Sequence, residues 1–177
     1  MRYNVLKGEG MSRSVSLFLV CTLMVAAGCA QNGIIPQWTG SGFLKPEFSE
    51  YGRVAILPFE GDENGEVSDT FALSFSERFP MMEVVTRKAL LKVFRTEDVS
   101  PDRLAKSKRN IRKAFGTEVL IEGKVYYPSI LRWILQIVIV DIETDEVLGR
   151  SMVEINYTGA ERVRQGCRFA VQELKVR

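Results

Sequence analysis

The residues able to do chemistry in this chain are few, and one type is missing altogether. Among 177 residues there is no His. That removes the commonest general base, the usual proton shuttle and the commonest metal ligand. Ser-His-Asp and Cys-His catalysis go with it, as do zinc sites built on His. Carboxylates gather twice. Glu60-x-Asp62-x-Asn64-Gly65 places oxygen ligands at alternate positions with Gly at the sixth, copying the first half of a calcium loop. The twelfth position, where a bidentate Glu belongs, is Phe71, so a solvated acidic turn is the better account and no metal is expected. Asp141, Glu143, Asp145 and Glu146 lie between two apolar runs and read as the polar turn of a hairpin. A Gly-rich phosphate loop, a Cys pair and an acid/base pair are all lacking, so neither a cofactor nor enzyme activity is expected.

The three cysteines are Cys21, Cys29 and Cys167, and Cys29 carries the clearest message. A short polar stretch with Arg13 precedes an uncharged run from Val15 to Ala27. A bilayer-spanning helix needs about 20 apolar residues, so this run is short for a membrane anchor. A basic start, a brief apolar core and small residues at the end describe a secretory signal. A buried core helix fits poorly with the N-terminal position and the lack of a polar face. Met11 offers an alternative start to Met1. Ala26-Ala27-Gly28-Cys29 resembles the lipobox of bacterial lipoproteins. That resemblance implies cleavage before Cys29, a diacylglycerol on its thiol and acylation of the new amine. Each buried CH₂ contributes about 0.8 kcal/mol and one chain anchors only marginally, whereas two or three chains hold firmly. Gln31 stands where Asp would imply retention at the inner membrane, so the resemblance implies a palmitate-bearing, periplasm-facing protein of the outer membrane. Ordinary cleavage near Ala27, releasing a soluble protein, is the competing reading.

Removing residues 1–28 leaves 149. The leader takes Arg2, Lys7, Arg13 and Glu9, so 21 basic and 21 acidic side chains remain of the original 24 and 22. With no basic surplus, no nucleic-acid partner is expected. With Cys29 lipidated and Cys21 discarded, Cys167 stands alone, so the domain relies on its core rather than on a disulfide. Its place on an apolar helical stripe makes it a small buried residue. Residues 29–50 contain Gly33, Pro36, Gly40, Ser41, Gly42 and Pro46 without a clear period, and read as the lipidated Cys and a flexible tether. About 22 residues at full extension reach roughly 75 Å.

Residues 51–177 read as one α+β domain, a mixed sheet with helices packed on it in the order β-α-β-α-α-β-β-β-α. Arg53–Phe59 is a strand. Val67, Phe71, Phe75 and Phe79 recur every four residues and mark an amphipathic helix that Pro80 stops. Met82–Thr86 is a strand and Arg87–Arg95 a helix. Ser100-Pro101-Asp102 opens the next helix, which ends at Phe115-Gly116. Three strands follow, the middle one apolar on both faces from Ile134 to Val140 as befits a central position. Thr158-Gly-Ala-Glu161 is a capping box. The last helix carries Val163, Gly166, Cys167, Ala170, Val171 and Leu174 on one stripe, whose small residues permit close approach to a sheet.

Arg103, Lys106, Lys108, Arg109, Arg112 and Lys113 share one helix with no acid after Asp102. A solvated face is the plain reading of such a run. A docking face for an anionic surface or an acidic partner is the functional one. Self-association against the acidic Glu60–Asp69 stretch, giving a homo-oligomer, is a third.

Val54-Ala-Ile-Leu-Pro-Phe59, Glu83-Val-Val-Thr-Arg87, Phe115-Gly-Thr-Glu-Val-Leu-Ile-Glu-Gly123 and Val140-Asp-Ile-Glu-Thr-Asp-Glu-Val-Leu148, together with the element order, resemble the CsgG-like group. That group holds the curli secretion lipoprotein, the peptidoglycan-synthase activator LpoB, the flagellar lipoprotein FlgO and the N-terminal domain of TolB. The resemblance spans Arg53 to Leu174. It implies an outer-membrane lipoprotein acting through protein contacts, as an adaptor in envelope assembly or secretion with an envelope protein as partner. An oligomeric secretion-channel component and an activator of a peptidoglycan synthase are the alternatives. Only Tyr127-Pro-Ser-Ile130 separates two of the strands, too little for membrane-crossing hairpins of about 9–11 residues per strand.

Overall fold

The computed structural model describes residues 37–95, 104–156 and 161–177. In chain order these form strand β1 (Gln37–Leu44), a short 3-10 helix (Pro46–Glu50), β2 (Arg53–Ile56), helix α1 (Glu66–Arg78), β3 (Glu83–Val85), α2 (Arg87–Val93), α3 (Leu104–Phe115), β4 (Val119–Tyr126), β5 (Arg132–Asp141), β6 (Val147–Asn156) and α4 (Arg162–Gln172). The strands make one six-stranded mixed sheet in the order β1-β6-β5-β4-β2-β3. β2 runs parallel to β3 and β4, and the other pairs are antiparallel. The α+β class is as predicted, and the predicted element order holds from Arg53 onward.

Period-two alternation sets the faces. On β5, Trp133, Leu135, Ile137 and Ile139 are buried, while Ile134, Gln136 and Val138 between them are only half-buried. Full burial of each such apolar side chain stabilises by about 1.5–3 kcal/mol. The buried row packs under α1 and α4. α1 contributes Val67, Phe71 and Phe75 at four-residue spacing, the helical stripe expected of one buried face. Phe59 meets Phe71 edge-on, and Phe48 meets both Phe75 and Phe79 edge-on. A second, smaller core lies on the other face, where Leu90 of α2 and Ile111 of α3 cover Ala55, Leu57, Leu120 and Ile142. The β1 and β6 part of that face stays open, with Ser41, Arg150 and Met152 exposed.

The structure corrects the predicted tether over residues 37–50, while residues 29–36 lie outside the described residues. Residues 37–44 are a full edge strand paired with β6 from Gln37↔Asn156 to Leu44↔Gly149, and Pro46–Glu50 buries Phe48. The glycines that suggest a linker have a packing role. A Cβ on Gly42 would lie 2.6 Å from the Glu173 carbonyl oxygen, because the chain leaving α4 crosses β1 there. That crossing is stitched by Leu44 N–H to Lys175 O at 2.8 Å and Arg177 N–H to Leu44 O at 3.1 Å. The predicted helix start Ser100–Asp102 lies outside the described residues, as do Thr158–Ala160 of the predicted capping box. Glu161 occupies the N-cap position of α4 and makes no side-chain cap bond. α3 ends at Gly116, whose φ of 64° is the left-handed conformation that glycine adopts freely.

Candidate functional site

The basic helix and the acidic hairpin turn, separate features in the sequence, meet in the structure. Lys108 of α3 pairs with Asp145, and Arg112 reaches Glu143 at 3.0 Å. Lys45 takes Glu146. Half of the α3 charge on the described side chains is thus spent inside the fold. Arg109 and Lys113 are exposed and have no ion-pair partner among the described residues. Of Lys106 the backbone alone is described, in the first turn of α3, and Arg103 lies outside the described residues.

The fourth carboxylate of that turn, Asp141, organises it. Its Oδ1 accepts the Glu143 and Thr144 backbone N–H groups at 2.8 and 2.7 Å and the Thr144 hydroxyl at 3.0 Å. Its Oδ2 accepts the Tyr51 hydroxyl at 2.7 Å. Burial works to raise the Asp141 carboxyl, but the bonds from Thr144, Tyr51 and Glu143 outweigh it and hold the group below its usual range. The same bond, with burial, pushes Tyr51 up to about 12. Behind this cluster, burial raises the Glu122 carboxyl, with Lys108 opposing and Asp145 adding to the shift. Every carboxylate of the turn therefore has a structural partner, as expected of a polar hairpin.

The acidic stretch before α1 is similarly committed. Asp62 accepts the Ser68 N–H at 2.8 Å, the Ser68 hydroxyl at 2.8 Å and the Val67 N–H at 3.2 Å, capping the helix from outside. Glu60 pairs with Lys124. Asp69 holds Arg87 and Lys88, both at 3.0 Å. Phe71, at the twelfth position of the half calcium loop, is fully buried. Among the described residues no group of three acidic or sulfur side chains is placed to hold a metal ion.

Cys167 is fully buried, donates weakly to the Val67 carbonyl at 3.5 Å, and burial pushes its thiol up, away from the reactive thiolate. It is the core residue its stripe implies. Cys29 lies outside the described residues.

Sequence reasoning passed over one feature. The β4–β5 connection presents Tyr127, Ile130 and Leu131 to solvent at 52%, 89% and 62% exposure. Arg132 N–H bonds to the Ser129 carbonyl at 3.2 Å and closes the turn beneath them. The signal was available, since apolar residues flank a Pro-Ser turn, where polar ones are usual. A second apolar feature is a hollow of about 440 Å³ between the 3-10 helix and the α1–β3 turn, lined by Pro46, Phe48, Tyr51, Phe79, Met82 and Val176.

No family model matches the sequence, and no curated protein sequence matches it. Solved structures do match. The chain aligns with PelC from Paraburkholderia phytofirmans, a dodecamer, at 12% identity and a TM-score of 0.54, covering 80% of this chain and 99% of that one. A point variant of the same PelC, also a dodecamer, aligns at 12% identity and 0.51, covering 81% and 100%. Lipoprotein GNA1162 from Neisseria meningitidis aligns at 12% identity and 0.45, covering 69% and 96%. At such identity the PelC likeness is one of fold, and it takes in the whole PelC chain.

Proposed function

We propose that this chain is an outer-membrane lipoprotein of the CsgG-like group, held by acyl chains on Cys29 and facing the periplasm. It acts there as a non-enzymatic protein-binding adaptor in envelope assembly or secretion. The observation that carries this reading is the likeness to the PelC fold over 80% of this chain and 99% of PelC, joined to residues 1–28, which carry the pattern of a secretory leader before Cys29. The commitment of the turn carboxylates to internal partners and the burial of Cys167 support contact rather than chemistry as its mode of action. Anchoring raises effective concentration, so weak contacts suffice. Arg109 and Lys113 on α3, and the part of the β1 edge before its Leu44 contacts with the C-terminal chain, are the surfaces it offers.

A second reading, an oligomeric secretion component, is favoured by the dodecameric state of the PelC structures. Particle size in detergent separates the two: a monomer or dimer supports the adaptor, and a ring of many copies supports the channel component. Palmitate labelling tests the anchor. Loss of label in Cys29→Ala supports it, and equal labelling in wild type and variant refutes it.

A further inference from the structure

Thirty-six residues precede Gln37, and where they join the sheet matters. Gln37 pairs with Asn156, and Asn156 pairs with Arg132. The three residues therefore lie on one transverse row. Neighbouring strands are about 4.8 Å apart, so Gln37 and Arg132 are separated by about 10 Å. Arg132 is the base of the β4–β5 connection, whose Tyr127, Ile130 and Leu131 project beyond it into solvent. Trp38, 37% exposed and stacked on Phe169 at 4.1 Å, stands at the same end. The end of the sheet where the N-terminal chain enters is thus also an exposed apolar and aromatic end.

We infer that this end of the domain rests on the membrane, with the Tyr127–Leu131 turn dipping into the periplasm-facing lipid surface. The inference depends on the reading of Cys29 as the lipid-bearing residue. From Cys29 to Gln37 is eight residue steps, at most about 28 Å however the chain is arranged, far less than the tether expected from sequence. The headgroup layer takes up roughly 5–8 Å of each leaflet. A strand start held that close to the lipid brings Ile130 and Leu131 within reach of it. Tyr and Trp suit the headgroup depth, and Ile and Leu suit the hydrocarbon below.

Charge does not drive the contact. Arg132 is paired with Glu154 at 2.8 Å and Arg164 with Glu161 at 3.6 Å. Arg162 sits over the Tyr127 ring at 5.9 Å, and the exposed Glu63 and Glu66 line the same surface hollow as these two residues. With both signs present, the occupant is lipid taken up through apolar side chains, without a requirement for anionic headgroups.

The test uses the full lipidated protein carrying Ile130→Cys, labelled with an environment-sensitive fluorophore and reconstituted into phosphatidylcholine vesicles. Lipid occupies the Cys29 sulfur and Cys167 is fully buried, so labelling is selective. The Ile130 label is expected to shift to the blue on reconstitution and to lose at least half its emission to brominated acyl chains, unchanged by salt. A label at Asn110→Cys, on the exposed side of α3, should do neither. Protein that sediments with the vesicles while its Ile130 label stays water-like overturns the inference and leaves the anchor standing. A blue-shifted label that brominated lipid does not quench also overturns it, since the turn is then buried against protein. A chain that does not sediment with vesicles sinks the anchor and the inference together.

Discussion

Gly166 is the position where one methyl group should matter most. It faces the sheet from α4, and a Cβ there would lie 1.8 Å from Trp133 Cζ3, 2.5 Å from Cη2 and 2.9 Å from Ile155 Cδ1. Carbon atoms settle at about 3.5–4.0 Å, so Gly166→Ala is short of normal contact by roughly 1.7 Å. Trp133 cannot swing clear, because it is 1% exposed and packed in the main core, and α4 must lift or the ring must leave its rotamer. Overpacking of this kind costs about 1–3 kcal/mol. Against it stands a gain of up to about 1 kcal/mol from replacing Gly within a helix. The expected net loss is therefore about 1–2 kcal/mol, read as a lower urea midpoint at unchanged slope. The background Trp133→Phe supplies the control. It removes the two ring carbons that clash, and Trp133 Nε1 is buried with no hydrogen-bond partner among the described residues for the change to break. In that background Gly166→Ala should turn neutral or stabilising, giving a coupling of about 2 kcal/mol in the double-mutant cycle. Equal midpoints for wild type and Gly166→Ala, or a loss that persists undiminished in the Trp133→Phe background, would show that α4 does not seat on the sheet as described.

Other perturbations follow from the polar cluster. Tyr51→Phe removes the donor to Asp141 and should cost about 1–2 kcal/mol at neutral pH. Because Tyr51 is raised to about 12 from its ordinary 10.0, its contribution is complete below pH 10 and lost as pH rises toward 12. The gap between wild type and variant in alkaline denaturation should close over that window. Glu122→Gln should stabilise at pH 7, because the wild-type carboxyl is raised by burial. That penalty fades as pH falls toward 4.5, so the two proteins should converge in acid. Lys108→Ala breaks a pair whose Asp145 end is well exposed. It should cost less than about 1 kcal/mol and lose its effect in high salt.

Legibility in the sequence followed how local the determining contacts are. The four-residue spacing of Val67, Phe71 and Phe75 and the apolar run of β5 announced their elements, because burial acts on residues a turn or two apart. The stripe of Gly166, Cys167 and Ala170 was readable for the same reason. β1 was hidden because Gly40 and Gly42 answer to Glu173, more than a hundred residues away, and in one dimension such glycines look like linker. The pairing of Lys108 and Arg112 with the β5–β6 turn was equally out of view. Composition showed two charge clusters, and only their separation in space decides whether they meet. The exposure of the Tyr127–Leu131 turn is hard to read in one dimension because a connection too short for a membrane-crossing hairpin looks like any tight turn, and only the fold shows that its apolar side chains face solvent.

The placement of β1 also governs how the domain bears load. Any tug transmitted from the N-terminal side enters at Gln37 and runs along the axis of a strand whose eight pairs with β6 carry bonds perpendicular to that pull. Such a ladder must yield in shear, all rungs together, whereas one pulled from its side opens rung by rung like a zip. The Leu44–Lys175 and Leu44–Arg177 stitches brace the far end of the same strand. Under the proposed anchoring at Cys29, a load between membrane and partner would thereby run along the strand's strongest direction.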